Sequence, residues 1–161
     1  MTATVTVRRA RADDERAMGR LGAMLVSEHH RFDPKRFIAP LPQLPERYGE
    51  FLISRISRPE MVVLVAVRGS DVIGYSYAGM EGNDYMTLRG PAGVIYDLVV
   101  DPAERRKGIG SSLMDATFAA LGKLGAPRVL LFTAEKNHVA QAMFERAGFR
   151  RTMIEMTREL V

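Results

Sequence analysis

The segment whose residue types most clearly spell chemistry is Asp101-Pro102-Ala103-Glu104-Arg105-Arg106-Lys107-Gly108-Ile109-Gly110-Ser111, set between an apolar β-branched run and an apolar helical stripe. The first amides of a helix lack intrahelical partners and carry the positive end of the helix dipole. A helix beginning at Ile109 therefore turns a row of donors toward whatever lies ahead of it. Gly108 and Gly110 remove the side chains that would hold an anion off that backbone, and Arg105, Arg106 and Lys107 bring three cations just before it. Together they describe a phosphate cradle. It is not a dinucleotide fingerprint, which needs glycine where Leu113 stands, nor a P-loop, which needs Gly-Lys-Ser/Thr where Gly110-Ser111-Ser112 stands. A capped helix behind a solvated basic turn is the plainer alternative.

Other groups able to hold charge or move protons lie apart in the chain. Asp97 sits inside an apolar strand next to Tyr96, and as the best-placed carboxylate it could hold an ammonium or accept a proton; a structural ion pair with an arginine is the alternative. Glu28, His29 and His30 close a helix, where histidines are favoured by the dipole whether or not they act as bases. Asn137 stands where a helix N-cap belongs. No grouping of His, Asp and Glu has metal-ligand spacing, so no metal is expected.

The elements that must position these residues follow from periodicity. Residues 4–9 alternate like a strand, and Asp13 stands as N-cap to a helix with Met18, Leu21 and Leu25 on one face, ending near His29-His30 ahead of Asp33-Pro34. Prolines 34, 40, 42 and 45 punctuate a loop, after which residues 46–56 read as a second helix. Residues 61–67 form a continuous apolar run typical of a strand buried on both faces, and Arg68-Gly69-Ser70-Asp71 turns into a partner strand over 72–80. A strand at 94–100, a helix at 109–124, a strand at 128–133 and a helix at 137–147 follow. Residues 149–160, with Ile154, Met156 and Leu160 against Glu155 and Glu159, alternate like a last strand. The string β-α-α-β-β-β-α-β-α-β predicts an α/β fold, a mixed sheet with helices on its faces.

Composition narrows the classes. The chain has 161 residues, 47% apolar and 26% charged, with a mean hydropathy of −0.08, the profile of one globular domain over residues 1–161. It has no cysteine, which excludes disulfides and thiolate chemistry and fits a cytoplasmic protein. Residues 1–12 lack the apolar core of a signal peptide, and no stretch approaches the ~18 apolar residues of a membrane span. A net charge of +4 and a pI near 9.7 could serve any polyanion. The basic residues crowd at 105–107 and no stacking motif or recognition helix is evident, which favours one local anion site over a nucleic-acid face.

Arg105-x-x-Gly108-x-Gly110 after a Val-Val-Asp-Pro strand end, followed one strand later by Asn137-x-x-Ala140-x-x-x-Phe144-x-x-x-Gly148-Phe149, resembles the GNAT superfamily of acetyl-CoA-dependent N-acetyltransferases. The order of the motifs and the element string match that fold over nearly the whole chain. The resemblance implies that acetyl-CoA lies in a V-shaped opening between the strands at 94–100 and 128–133. Its pyrophosphate would sit on the amides of Arg106, Lys107, Gly108, Ile109, Gly110 and Ser111, its pantetheine arm would pair with the backbone of Leu98, Val99 and Val100, and Asn137 would contact it from the last helix. Pantetheine is a chain of amides, so an unpaired strand edge is its natural partner. The pairing would set the thioester carbonyl before backbone amides able to hold a tetrahedral oxyanion.

The sequence departs from the family at Phe144, where many members carry a tyrosine thought to protonate the departing thiolate. Tyr96, Tyr85, Thr133, Ser111 and solvent are the remaining proton sources, unless the thiolate leaves unassisted. The surroundings of Asp97 are similar to the polyamine-acetylating branch, but Tyr96 replaces one of its two acidic residues. The expected function is acetyl transfer to a primary amine, a small or antibiotic-like molecule ahead of a protein N-terminus or lysine, with Asp97 and Tyr96 as catalytic candidates. The rival is a non-catalytic acyl-CoA sensor. Acetyl-CoA and an amine are the expected partners, with neither nucleic acid nor membrane; a homodimer is left open.

Overall fold

The computed structural model describes residues 4–161; residues 1–3 of the segment judged free of a signal peptide lie outside it. In chain order it runs β1 (Val5–Arg9), α1 (Glu15–Phe32), α2 (Leu44–Ile53), β2 (Met61–Arg68), β3 (Asp71–Glu81), β4 (Ala92–Val100), α3 (Ile109–Lys123), β5 (Val129–Leu131) and α4 (His138–Arg146). The five strands form one sheet in sequence order. The first four pair antiparallel, including the anticipated β2–β3 hairpin, and β4 pairs β5 parallel.

Successive side chains of a strand face opposite sides, so the unbroken apolar run of β2 means that both faces of the sheet are covered. Val63, Val65 and Val67 pack with Met18, Leu21 and Leu52 of α1 and α2, while Val62, Leu64 and Ala66 pack with Ile109, Leu113 and Leu121 of α3. The α1–α2 contact is close because glycine makes it so. A Cβ on Gly22 would lie 2.2 Å from Tyr48 Cδ1, so only a residue without one lets the Tyr48 ring lie over α1.

The start of α1 differs from expectation. Asp14 rather than Asp13 organises it, accepting the Arg11 amide at 2.7 Å and both terminal nitrogens of Arg8, after a 3-10 turn over Ala12–Asp14. The helix then runs to Phe32 and stops at Asp33, whose extended backbone the following proline favours. The second helix begins two residues earlier than its periodicity suggested and stops at Ile53.

The expected last strand is absent. Gly148, at φ +94°, ends α4, and residues 150–161 lie exposed without a ladder. Phe149 folds back on Phe144 and Phe118, Arg151 bonds Gln141, and Glu155 pairs with Arg36. Alternation describes which side chains could share a face, but a strand needs a hydrogen-bonding neighbour, and β5 is only three residues long. The tail ties itself instead to helix and loop side chains.

Candidate functional site

Strands β4 and β5 run together only through Gly93–Val129, Val94–Leu130 and Ile95–Leu131. Beyond Ile95 they part. A β-bulge helps to part them: Tyr77 pairs with Asp97 and Ala78 with Ile95, which leaves Tyr96 as the extra residue. The extra residue resets the alternation, so Ile95 and Leu98 both pack toward α3 while Asp97 shares the α1–α2 face with Val99. A cavity of about 220 Å³ fills the opening, bounded by Tyr96, Asp97 and Leu98 on one side and Phe132 and Thr133 on the other. His29 of α1, Phe37 and Ile38 of the loop after it, and Asn137 and Phe144 at α4 also line it.

The edge of β4 beyond the bulge offers backbone groups to this opening. The Asp101 amide bonds Ile73 O, and antiparallel bonding alternates. Val99 and Asp97 therefore spend their backbone groups on β3, while Leu98 and Val100 turn theirs to the open edge. There the Val100 carbonyl accepts Arg105 Nε at 3.0 Å.

Asp97 is buried, and both of its nearest donors come from sequence positions that carried no functional expectation. Tyr48 Oη donates to Oδ2 at 2.7 Å and Tyr75 Oη donates to the same oxygen at 2.9 Å. Burial pushes the Asp97 carboxyl above its ordinary value, opposed by the two tyrosine bonds and by His29. Both tyrosine hydroxyls are in turn pushed up, by burial first and by the Asp97 charge second. Oδ1 makes no hydrogen bond among the described residues. The helical spacing of Tyr48, Leu52 and Ile56 marks a helix and no more, and nothing short of the fold shows that Gly22 admits the Tyr48 ring and that Tyr75 lies alongside.

Tyr96 is half-exposed and stacks at 4.8 Å on Tyr77. Its hydroxyl donates to Glu81 Oε1 at 2.6 Å, and burial, then that bond, raise its pKa. Glu81 is itself paired with Arg89. Tyr85 is 81% exposed and lies outside the cavity wall.

At the other end of the opening the anticipated cradle is built by two left-handed residues, Arg106 at φ +61° and Gly108 at φ +78°. Among the described residues none of the amides from Arg106 through Ser111 donates a hydrogen bond, and the first α3 bond outside the helix runs from Ser112 N to Gly108 O. A side chain on Gly108 would project into open space ahead of the helix, whereas one on Gly110 would press Met143 Sδ of α4 at 3.2 Å. The cations divide their roles. Arg105 pairs with Glu28 and Lys107 with Glu104, while Arg106 forms no ion pair among the described residues. Asn137 caps α4, accepting the Ala140 amide at 3.2 Å, and also borders the cavity. Phe144, buried, lines the same cavity.

Among the described residues no three His, Cys, Asp or Glu could together hold a metal ion, and no helix is long and apolar enough to cross a membrane.

Solved structures share this fold. The structure superposes on a point mutant of the BH1408 protein from Bacillus halodurans with a TM-score of 0.83, at 21% identity over 97% of this chain and 99% of that one. Aminoglycoside N-acetyltransferase AAC(6')-Iy, solved in complex with CoA, superposes with a TM-score of 0.73, at 15% identity over 100% and 98% of the two chains. In sequence the chain is 29% identical over 150 residues to a mycothiol acetyltransferase from a Nocardioides species, covering 90% of this chain and 50% of that protein. The chain spans between about a fifth and a half of the length of the mycothiol acetyltransferases it matches. The family model described as acetyltransferase (GNAT) matches residues 23–149, taking in the cradle, the parting strands and the capped last helix, and the chain belongs to that family.

Proposed function

We propose that this chain transfers an acetyl group from acetyl-CoA to a primary amine by direct attack, with both substrates bound together. The observation that carries the reading is the opening between β4 and β5, with unpaired amides at one end and a pinned, buried carboxylate at the other. In this reading the amides from Arg106 through Ser111 hold the pyrophosphate, with the Arg106 side chain free to add its charge. The backbone of Leu98 and Val100 pairs with the pantetheine amides, and the Leu98 N–H serves the thioester oxygen as charge develops there. Arg105 and Lys107, tied to Glu28 and Glu104, hold the loop in shape. Acetyl-CoA supplies the activated acetyl group. Asp97 holds the acceptor ammonium beside it, and Tyr96 stands on the same wall as a proton source for the departing thiolate.

A small acceptor is favoured over a protein terminus because the cavity is narrow and largely apolar around one carboxylate. Relatives and structural neighbours named for mycothiol and aminoglycoside acetylation agree with a small-molecule acceptor. One feature favours the rival reading, a non-catalytic acyl-CoA sensor: Phe144 carries no proton. A screen of amines for CoA thiol release separates the two. Release with at least one amine, reduced ~10²-fold or more in Asp97→Asn at unchanged acetyl-CoA affinity, is the expected result. Tight acetyl-CoA binding without release for any amine would favour the sensor.

A further inference from the structure

His29, in the last turn of α1, lines the same cavity as Asp97, and its surroundings define its chemistry. Nδ1 lies 2.8 Å from the Leu25 carbonyl. A carbonyl only accepts, so Nδ1 carries the hydrogen, and in the neutral ring Nε2 is left with the bare lone pair. Nε2 has no hydrogen-bond partner among the described residues. The ring is fixed from two sides by edge-on contacts with Phe32, at 5.8 Å between centroids, and Phe37, at 5.1 Å. His30, its neighbour, also binds a carbonyl through Nδ1, that of Phe37, but does not reach the cavity wall. A dipole-favoured histidine needs neither a fixed tautomer nor a place in a cavity. His29 has both.

We infer that His29 Nε2 is the base that removes the proton from the acceptor ammonium before it attacks. The inference deepens the acetyl transfer proposed above and rests on it. The proton balance is simple. Nε2 takes one proton from the ammonium, giving a free amine and an imidazolium whose Nδ1–H still bonds Leu25 O. The amine lone pair forms the C–N bond to the thioester carbonyl, the C–S bond breaks, the leaving sulfur takes the Tyr96 hydroxyl proton, and the second proton lost from nitrogen restores that hydroxyl, giving amide and CoA thiol. The imidazolium then returns its proton to solvent.

Asp97 suits this role better as the partner than as the acceptor. Two tyrosines hold its Oδ2, so it stands as a fixed carboxylate within electrostatic reach of the His29 ring. Among the described residues the charged or titratable groups around the cavity are Asp97 and Tyr96 of β4, Tyr48 and Tyr75 behind Asp97, His30 on the Phe37 carbonyl, and Arg36, paired with Glu155, whose guanidinium lies 4.9 Å over the Phe37 ring. Among the described residues Asp97 is the only acid that borders the cavity.

The test is the pH profile of kcat/KM for His29→Asn with the best alkylamine from the screen. Asparagine keeps a donor for Leu25 O while removing the basic nitrogen. The expected result is a loss of ~10²-fold or more near neutral pH, where the amine is protonated, shrinking toward wild type at alkaline pH, where the amine is already free. Acetyl-CoA affinity by calorimetry and the melting temperature should stay near wild type. A second variant, His29→Gln, should show the same pH-dependent loss. Equal losses at every pH, or a wild-type profile, overturn the base while leaving acetyl transfer intact. No thiol release by the wild-type protein with any amine overturns the transfer on which the base depends.

Discussion

Replacing Tyr48 with phenylalanine removes one oxygen from behind the cavity and leaves Asp97 Oδ2 with a single donor, Tyr75 at 2.9 Å. A hydrogen bond to a buried charged group contributes about 1.5–3 kcal/mol, against about 1 kcal/mol between neutral groups. Each kcal/mol moves the melting temperature of a chain of this size by ~2–4 °C, so Tyr48→Phe should melt ~3–12 °C lower where Asp97 is ionised. The loss should be smaller in acid, where a protonated Asp97 needs the donor less. The direction follows from linkage. Burial already holds the Asp97 carboxyl above its ordinary value, so its contribution to stability is full below the unfolded pKa and declines as pH rises through the folded one. The Tyr48 hydroxyl favours the charged form; its removal steepens that decline and shifts the acid limb governed by Asp97 to higher pH. Thermal unfolding at about pH 5 and about pH 8, with a cycle of Tyr48→Phe, Asp97→Asn and the double variant, measures the coupling. A melting loss independent of pH, with a coupling energy below ~0.5 kcal/mol, would refute the reasoning.

Three further outcomes are expected. Gly108→Asp meets no atom within 4 Å of the added Cβ but is strained by the left-handed backbone at φ +78°, so it should fold with a loss of ~1–2 kcal/mol, yet abolish acetyl-CoA binding in calorimetry by setting a carboxylate ahead of the α3 amides; wild-type affinity would remove the cradle from the site. Phe144→Tyr should gain no rate, while Tyr96→Phe slows thiol release ~10²-fold or more and the exposed Tyr85→Phe is silent; a large gain from Phe144→Tyr with Tyr96→Phe silent would show that proton supply was missing rather than relocated. Asp14→Asn should cost about 1–3 kcal/mol at neutral pH, since Arg8, through its hydrogen bonds, holds the Asp14 carboxyl below its ordinary value. That contribution is present above the unfolded pKa and lost as pH falls through the depressed folded one, so urea unfolding should show the variant and wild type converging in acid.

The sequence alone determined what depends on local chemistry and on period. The cradle was legible because glycines, cations and a helix start act within eleven consecutive residues, and β2 was legible because burial on both faces leaves no polar position in the run. Asn137 was legible as a cap because capping is settled within one helical turn.

Tertiary structure alone decided what the site does with those residues. Asp97 is pinned by Tyr48 and Tyr75, from α2 and β3, and that meeting depends on a glycine in α1 admitting an aromatic ring, a contact between residues 26 positions apart that no local pattern encodes. Tyr96 is held by Glu81 because β3 and β4 run side by side there. His29 and His30 look equivalent in sequence, yet helical rotation puts one ring on the cavity and the other beside the Phe37 carbonyl. The tail shows the opposite case: its alternation was strand-like, but a strand exists only when another edge accepts its hydrogen bonds, and here residues 150–161 make side-chain contacts instead. Local patterns state what a segment can become. Which groups converge on one cavity is set by packing between segments far apart in the chain, and that is where the chemistry of this site is decided.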